Sequence, residues 1–247
     1  MSYGCFAEYY DRLTGNVDYA AVAERIDTLL KQHKPDCSLV VDLACGTGTL
    51  TGLLAERGYD MIAIDGSPDM LSVASQKSAP GAIYLCQTMQ RLDLYGTVDG
   101  VVCTLDSVNH VTDSAVLGKA FQRVSLFLEP DGVFIFDANT PYKHRCVLAD
   151  NAFVYDLDDL LCVWQNETEN GLTRISLDFF QRKEDNLYSR SSESFSERAY
   201  DDSELTALVE AAGMQVVARY DDYTAVEPNS DSQRIVYVCR KSGAQAT

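Results

Sequence analysis

Two aspartates and two glycines carry the strongest chemical signal in this chain of 247 residues. Asp42 stands four residues before Gly46, Gly48 follows, and Asp65 lies seventeen residues further on. Gly46 and Gly48 lack a Cβ, so the backbone there can turn sharply and approach a ligand, and a helix beginning near Thr49 points free N–H groups at the same spot. Such a loop cradles a nucleotide. A carboxylate at Asp65 can accept both hydroxyls of a ribose, and a hydrogen bond to a charged group contributes roughly 1.5–3 kcal/mol. Asp42 is different in kind: an acid inside the strand end would repel a pyrophosphate, but it can orient a loop that receives a cationic ligand without phosphate. NAD enzymes also carry an acid like Asp65, so Asp42 and the missing third glycine are what point away from the dinucleotide fingerprint.

The elements that must position these residues follow from apolar periodicity. Leu39 to Leu43 is an apolar run, and Leu50, Leu53 and Leu54 recur at helical spacing, which reads as strand, tight loop, helix. Gly58 stops that helix, and Tyr59 to Asp65 reads as a second buried strand. In a doubly wound sheet ligands bind beyond the carboxyl ends of the strands, so Asp65 and its neighbour Gly66 fall beside the glycine loop. Ser67 is a good N-cap and Pro68 suits the first helical position. Met70, near that helix start, can pack against an adenine ring or serve as plain core. Further strands are expected at Ala82 to Cys86, Val98 to Thr104 and Val133 to Asp137. Before the last of these, Val116, Ala120, Phe121, Val124 and Phe127 mark a helix face closed by the Pro-Asp-Gly turn at residues 130–132.

Residues 150–198 change character. Thr173, Ile175, Leu177 and Phe179 alternate, and Asn170-Gly171 is a hairpin signal. Antiparallel strands are therefore expected near 152–156, 161–168, 172–182 and 187–198. Such a sheet is not needed to complete a nucleotide-binding fold. It reads as an insertion that roofs the acceptor side of the site, with a homodimer interface as the competing role. Asp201 to Glu204 has a capping-box pattern, and Met214 to Tyr220 and Arg234 to Cys239 read as closing strands. The expected organisation is an α/β core from 1–149 and 199–241, an inserted β lid at 150–198 and a disordered tail at 242–247.

The run Asp42-Leu-Ala-Cys-Gly-Thr-Gly48 resembles the first motif of class I S-adenosylmethionine-dependent methyltransferases. The helix and Pro-Asp-Gly turn before the fifth strand resemble the corresponding family segment, and the antiparallel insertion is similar to lids of sugar and glycine-type N-methyltransferases. The resemblance implies a doubly wound, seven-stranded, mostly parallel sheet of the Rossmann-like kind. S-adenosylmethionine would be the cofactor and S-adenosylhomocysteine the product. It implies that Asp42, Ala44, Cys45, Gly46, Thr47 and Gly48 pack against the methionine part, and that Leu105, Asp106 and Ser107 touch the cofactor from the fourth strand's loop. Many relatives carry an Asp where this chain has Thr88, so the adenine contact passes to the Thr88 hydroxyl, the Met89 amide or a neighbour. Tyr10, in a segment with Tyr3, Phe6, Tyr9 and Tyr19, resembles the aromatic-rich N-terminal segment of small-molecule methyltransferases and is a candidate ligand contact. That segment is either a flap over the site or a docked terminal helix.

On the acceptor side the candidates are Asn109, His110, Asn139 and Tyr142, with His144 nearby. His110 and Tyr10 are the candidate catalytic groups, since an imidazole can take a proton from an amine or hydroxyl near neutral pH. A histidine hydrogen-bonded within its own loop is the plain alternative.

Composition narrows the classes. Twenty Lys and Arg against thirty-seven Asp and Glu give a net charge of −17, which argues against a broad nucleic-acid surface. The eight cysteines form no C-x-x-C pair, so they read as small buried hydrophobes with no metal site or disulfide frame, in a reducing cytoplasm. No charged-then-apolar leader and no long apolar run suggests secretion or membrane spanning. The expected activity is methyl transfer to a small amine or hydroxyl. An RNA or tRNA methyltransferase, a non-catalytic S-adenosylmethionine-binding protein, an NAD-dependent oxidoreductase and an enzyme that remodels the cofactor are the alternatives.

Overall fold

The computed structural model describes residues 4–77, 79–184 and 187–241, with side chains from Phe6 onward. The expectations for Tyr3 and for the tail 242–247 lie outside the described residues. Strand β1 (Leu39–Leu43) sits in the interior of a seven-stranded sheet because it is apolar on both faces. Val40 packs with the residues of α2 (Tyr19–His33) and α3 (Thr49–Ala55), whereas Val41 and Leu43 pack with those of α5 (Ser114–Phe127) and α7 (Asp202–Ala211). Helices on both faces are what an almost uninterrupted apolar strand requires. Strands β2 (Asp60–Asp65), β3 (Ile83–Cys86), β4 (Val98–Cys103) and β5 (Leu128–Asn139) complete the parallel part, and β10 (Met214–Asp221) and β11 (Arg234–Lys241) close one edge antiparallel. The order is β10-β11-β5-β4-β1-β2-β3. All five parallel strands end at the same edge, which brings their loops together.

The second sheet is antiparallel, in the order β6 (Ala152–Leu157), β7 (Leu160–Glu169), β8 (Leu172–Arg182), β9 (Tyr188–Arg198). Its β7–β8 turn has Asn170 at φ +52° and Gly171 at φ +76°, the left-handed pair a two-residue hairpin needs. One face of this sheet, through Leu160, Cys162, Ile175, Leu177, Phe179 and Phe195, packs on Phe6, Ala7, Tyr9 and Leu13 of α1 (Gly4–Leu13) and on Met70 of α4 (Pro68–Lys77).

Three local expectations are corrected. The capping box at Asp201 to Glu204 does not form: Asp201 makes no side-chain cap bond, and the Glu204 carboxylate is taken instead by Arg198 Nη2 at 2.8 and 3.1 Å. The stretch after β5, whose polar run over residues 137–144 reads as a loop at the sheet edge, is a helical turn, α6 (Pro141–Lys143), running on into a π-helical turn over His144–Leu148. Of the described cysteines only Cys103, Cys162 and Cys239 are buried, while Cys86 and Cys146 are exposed; all seven are free. Among the described residues no helix is long and apolar enough to cross a membrane.

Candidate active site

The loops at the carboxyl ends of β1 to β4 surround a cavity of about 460 Å³. Its floor is Ala44 and Gly46 after β1, with Asp65, Gly66, Ser67 and Met70 after β2. Thr88 and Met89 form one wall and Leu105, Ser107 and His110 another, and Phe6 and Tyr10 of α1 lie across it. Gln87, Gln90, Val111, Thr112, Asp113 and Val116 complete the lining, none of them a site candidate in the sequence.

The two loop glycines have separate jobs. Gly46 sits at φ +54° with open space where a Cβ would project, so its backbone is bare toward the cavity. Gly48, at φ +73°, does not line the cavity: a Cβ there would lie 2.9 Å from Ala74 Cβ, so this glycine lets α3 pack against α4. Asp65 accepts from the Gly46 N–H at 2.9 Å and the Ser67 N–H at 2.7 Å, one bond per oxygen. Burial raises its pKa and those two N–H bonds partly oppose the rise. An ionised carboxylate has about four lone-pair sites, so two remain for a ligand.

Asp42 is almost wholly buried and accepts from the Thr51 hydroxyl at 2.6 Å, tying the end of β1 to α3. Burial pushes its carboxyl up to about 6 against the opposing Thr51 bond. With Cys45, Thr47, Tyr10 and Tyr19 it borders a narrower cleft behind the loop. Thr47 is engaged by α1, donating to Asp11 at 2.6 Å, and Asp11 also pairs with Lys77 of α4 at 2.6 Å.

The wall after β4 is held by residues that sequence patterning did not connect. Leu105 and Asp106 both adopt φ +55°, a left-handed conformation that side chains disfavour. Asp137 of β5 stabilises it by accepting both of their N–H groups at 2.6 Å. Asp137 also accepts from the Tyr223 hydroxyl and pairs with Arg234 of β11 at 3.0 Å, and Arg234 reaches Asp106 at 2.8 Å. Burial pushes Asp106 up, but Arg234, Lys143 and His110 more than offset it and hold the carboxyl below its ordinary value. Asp106 therefore faces Arg234 and not the cavity. The available signal was a lone acid ending the apolar run of β5; its partners lie on strands far apart in the chain.

The acceptor-side candidates are not brought together on the cavity wall. Only His110 lines it. Asn109 is fully buried and spends its amide on backbone, donating to Asn139 O at 3.1 Å and Arg198 O at 2.8 Å and accepting from Asn139 N–H at 2.9 Å. It joins β5, the loop after β4 and the end of β9. Asn139 is buried beside Lys143, whose Nζ donates to it at 2.9 Å, and Tyr142 lines a separate groove with Arg145, Tyr200 and Asn229.

Behind His110 stands Glu197 of β9, with His110 Nε2 at 3.8 Å from one carboxylate oxygen and His144 Nε2 at 3.8 Å from the other. Burial lowers the pKa of both imidazoles, that of His144 to about 4, against the opposing field of Asp106. Asp106, His110 and Glu197 offer three ligand-type atoms within 4.8 Å of one another. Arg234 on Asp106 and the Lys143 charge acting on Glu197 put two cations against that trio, which opposes a metal ion.

A mostly parallel seven-stranded sheet with an antiparallel closing hairpin and a glycine-loop cavity at its carboxyl edge defines the class I methyltransferase fold. Residues 40–132 match the sequence profile of a family described as methyltransferase domain. The chain is 30% identical to YqeM of Bacillus subtilis (strain 168), a protein assigned as a methyltransferase, over 98% of each chain. A solved S-adenosylmethionine-dependent methyltransferase from Clostridium acetobutylicum ATCC 824 is similar with a TM-score of 0.89 and 33% identity, covering 98% of this chain and 99% of that one. Over 54% of this chain and 53% of the relative, it is 29% identical to the dTDP-3-amino-3,6-dideoxy-alpha-D-glucopyranose N,N-dimethyltransferase of Streptomyces fradiae. The chain belongs to the S-adenosylmethionine-dependent methyltransferases.

Proposed function

We propose that this methyltransferase acts on an amine nitrogen of a small, non-polymeric acceptor. The observation that carries the reading is the roof of the cavity. Helix α1 crosses it with Phe6 and Tyr10, and α1 is held from both sides. On the lid side Tyr9 donates to Gln181 at 3.1 Å and Arg12 pairs with Asp159 at 2.5 Å; on the core side Asp11 holds Thr47 and Lys77. A site roofed in this way admits a small molecule more readily than a polymer, and the net charge of −17 opposes a polyanion. The amino-sugar substrate named for the Streptomyces relative supports an amine as the acceptor.

The residues present fit the cofactor. The bare Gly46 backbone and Ala44 suit the methionine end, and the free lone pairs of Asp65 suit a ribose diol. Met70, Thr88 and Met89, with Gly66 kept small by Thr88 3.3 Å from its would-be Cβ, suit an adenine. Leu105, Ser107 and Tyr10 bound the reacting end, whereas Asp42, Cys45, Thr47, Gly48 and Asp106 shape the loops behind. Bound there, S-adenosylmethionine supplies a methyl group already activated on a sulfonium. The protein then mainly aligns the acceptor, and orientation can contribute on the order of 7–11 kcal/mol in favourable cases. His110, a neutral imidazole on the acceptor side, can take the proton the amine must shed. Asn109 and Asn139 act from behind the wall, and Tyr142 belongs to the separate groove.

The test supplies methyl-labelled cofactor with a cell extract divided into small molecules and RNA, together with glycine, sarcosine and a dTDP-amino sugar. Label is expected in an N-methylated small molecule; label confined to RNA, or to an oxygen atom, would overturn the reading.

A further inference from the structure

We propose that His110, Glu197, His144 and Thr173 form a proton-exit line that leads from the cavity through the base of the lid to the protein surface. The inference rests on the reading of the acceptor as an amine. Methylation leaves such a nitrogen with one proton too many.

The geometry is a sequence of four steps. His110 lines the cavity, and its Nε2 faces Glu197 Oε1 at 3.8 Å. Glu197 Oε2 faces His144 Nε2 at 3.8 Å. His144 Nδ1 is 2.8 Å from the Thr173 hydroxyl, and Thr173 is 3.0 Å from the hydroxyl of Thr168, which is half-buried. Glu197 and His144 are 3% and 1% exposed. Local structure explains the alignment: Thr173 lies directly opposite Glu197 in the β8–β9 pairing, so the pleat turns both to one face, and the π-helical turn brings His144 against them. Irregular helical turns of this kind are frequent at functional sites.

Three atoms along this line, His110 Nδ1, Glu197 Oε2 and His144 Nε2, are buried without a hydrogen-bond partner. Leaving such an atom unsatisfied is costly, so three in one row call for an explanation beyond packing. The donor and acceptor types alternate in one direction. A neutral imidazole carries one donor and one acceptor nitrogen, and a protonated carboxyl is likewise both, which a carboxylate is not. The groups facing Glu197 are Asp106 from the loop after β4, Lys143 of α6, Asn139 of β5, Arg234 of β11 and the two histidines. Burial, seconded by Asp106, outweighs Lys143, Asn139 and Arg234 and pushes the carboxyl up to about 8, so it is a neutral acid at neutral pH.

One proton enters and one leaves. The amine N–H gives its proton to His110 Nε2, the ring nitrogen not closed off by burial, and the amine nitrogen keeps the electron pair. His110 Nε2 then hands that proton to Glu197 Oε1, Glu197 Oε2 passes its own to His144 Nε2, and His144 Nδ1 passes on to Thr173, Thr168 and water. Each group ends with the proton count it began with, and no oxidation occurs. The two gaps of 3.8 Å each need to shorten by about 1 Å, a small approach of β9 toward the core. In this scheme Glu197, His144 and Thr173 act through His110 and are positioning residues.

The test has two arms. In the free enzyme, the ring nitrogens of His110 and His144 are followed by 15N NMR from pH 5 to pH 9.5 in the wild type, Glu197→Gln and Thr173→Val. Both rings are expected to respond together to one step in the slightly alkaline range, and Glu197→Gln, close in shape, is expected to remove that step from both. Thr173→Val is expected to change the tautomer of His144 alone. Two rings that titrate independently and ignore Glu197→Gln would overturn the line whether or not any acceptor is known. In turnover with sarcosine or the dTDP-amino sugar, Glu197→Gln is expected to lower kcat by roughly tenfold or more and to flatten its pH profile. Affinity for S-adenosylmethionine should stay unchanged and Glu197→Asp should recover part of the rate. An unaltered kcat and pH profile in Glu197→Gln overturns the proposal. If neither amine is methylated, the acceptor reading fails and the NMR arm still decides the line.

Discussion

At the scale of single residues, the glycine loop separates two requirements that look identical in sequence. Gly46→Ala meets no neighbour, so its cost is the left-handed backbone, about 1–2 kcal/mol. Gly48→Ala adds a clash with Ala74 to the same strain and is expected to cost more, about 2–5 kcal/mol together. Urea unfolding should rank Gly48→Ala below Gly46→Ala, while calorimetry should rank their S-adenosylmethionine affinities the other way. Equal losses of affinity would mean that both glycines face the ligand. Asp65→Ala is expected to weaken S-adenosylmethionine binding by about tenfold or more, since the lost ribose bonds are to a charged acceptor. An unchanged affinity in a folded variant would remove Asp65 from the site. Neither role of Asp137 nor that of Arg234 was legible, because an ion pair between β5 and β11 has no local signature.

At the scale of elements, helix starts show why a pattern is weaker evidence than a contact. Asp113 caps α5, accepting from the N–H groups of Ala115 at 2.8 Å and Val116 at 3.3 Å. Asp201 begins α7 without any such bond. Asp113→Ala is expected to cost about 1 kcal/mol and Asp201→Ala much less, measured as shifts in the urea midpoint. A larger loss at Asp201 would mean that the capping box forms in solution. The strands of the second sheet were readable to within a residue or two, since alternation with turn residues is a local property. That the sheet packs on α1, which itself lies across the cavity, was not readable, because α1 and β8 are far apart in the chain.

At the scale of the whole molecule, stability should depend on pH through the buried acids and histidines. Glu197 and Asp42 have folded-state values raised by burial, to about 8 and about 6. The contribution of each is fully present below its ordinary carboxyl value and is lost as pH rises through the raised one. His144 runs the opposite way: lowered to about 4, it contributes above its ordinary value and is lost as pH falls toward 4. Thermal unfolding of the wild type should therefore weaken from pH 6.5 to pH 8.5, and Glu197→Gln should lose most of that slope. A wild-type midpoint that rises over this range would place the Glu197 carboxylate in a better-solvated setting than its burial implies.

The sequence by itself determined the cofactor class and the order of elements, because the glycine loop, the acid after β2 and the two periodicities are local consequences of backbone geometry and side-chain spacing. It also found the inserted sheet, for the same reason. Tertiary structure alone decided which polar residues share a wall. His110 reaches the cavity while Asn109, from the same loop, turns inward to join β5 and β9, and Glu197, nearly ninety residues away, stands behind His110. Burial and proximity set the protonation of such groups, and both depend on which distant strands the fold brings into register.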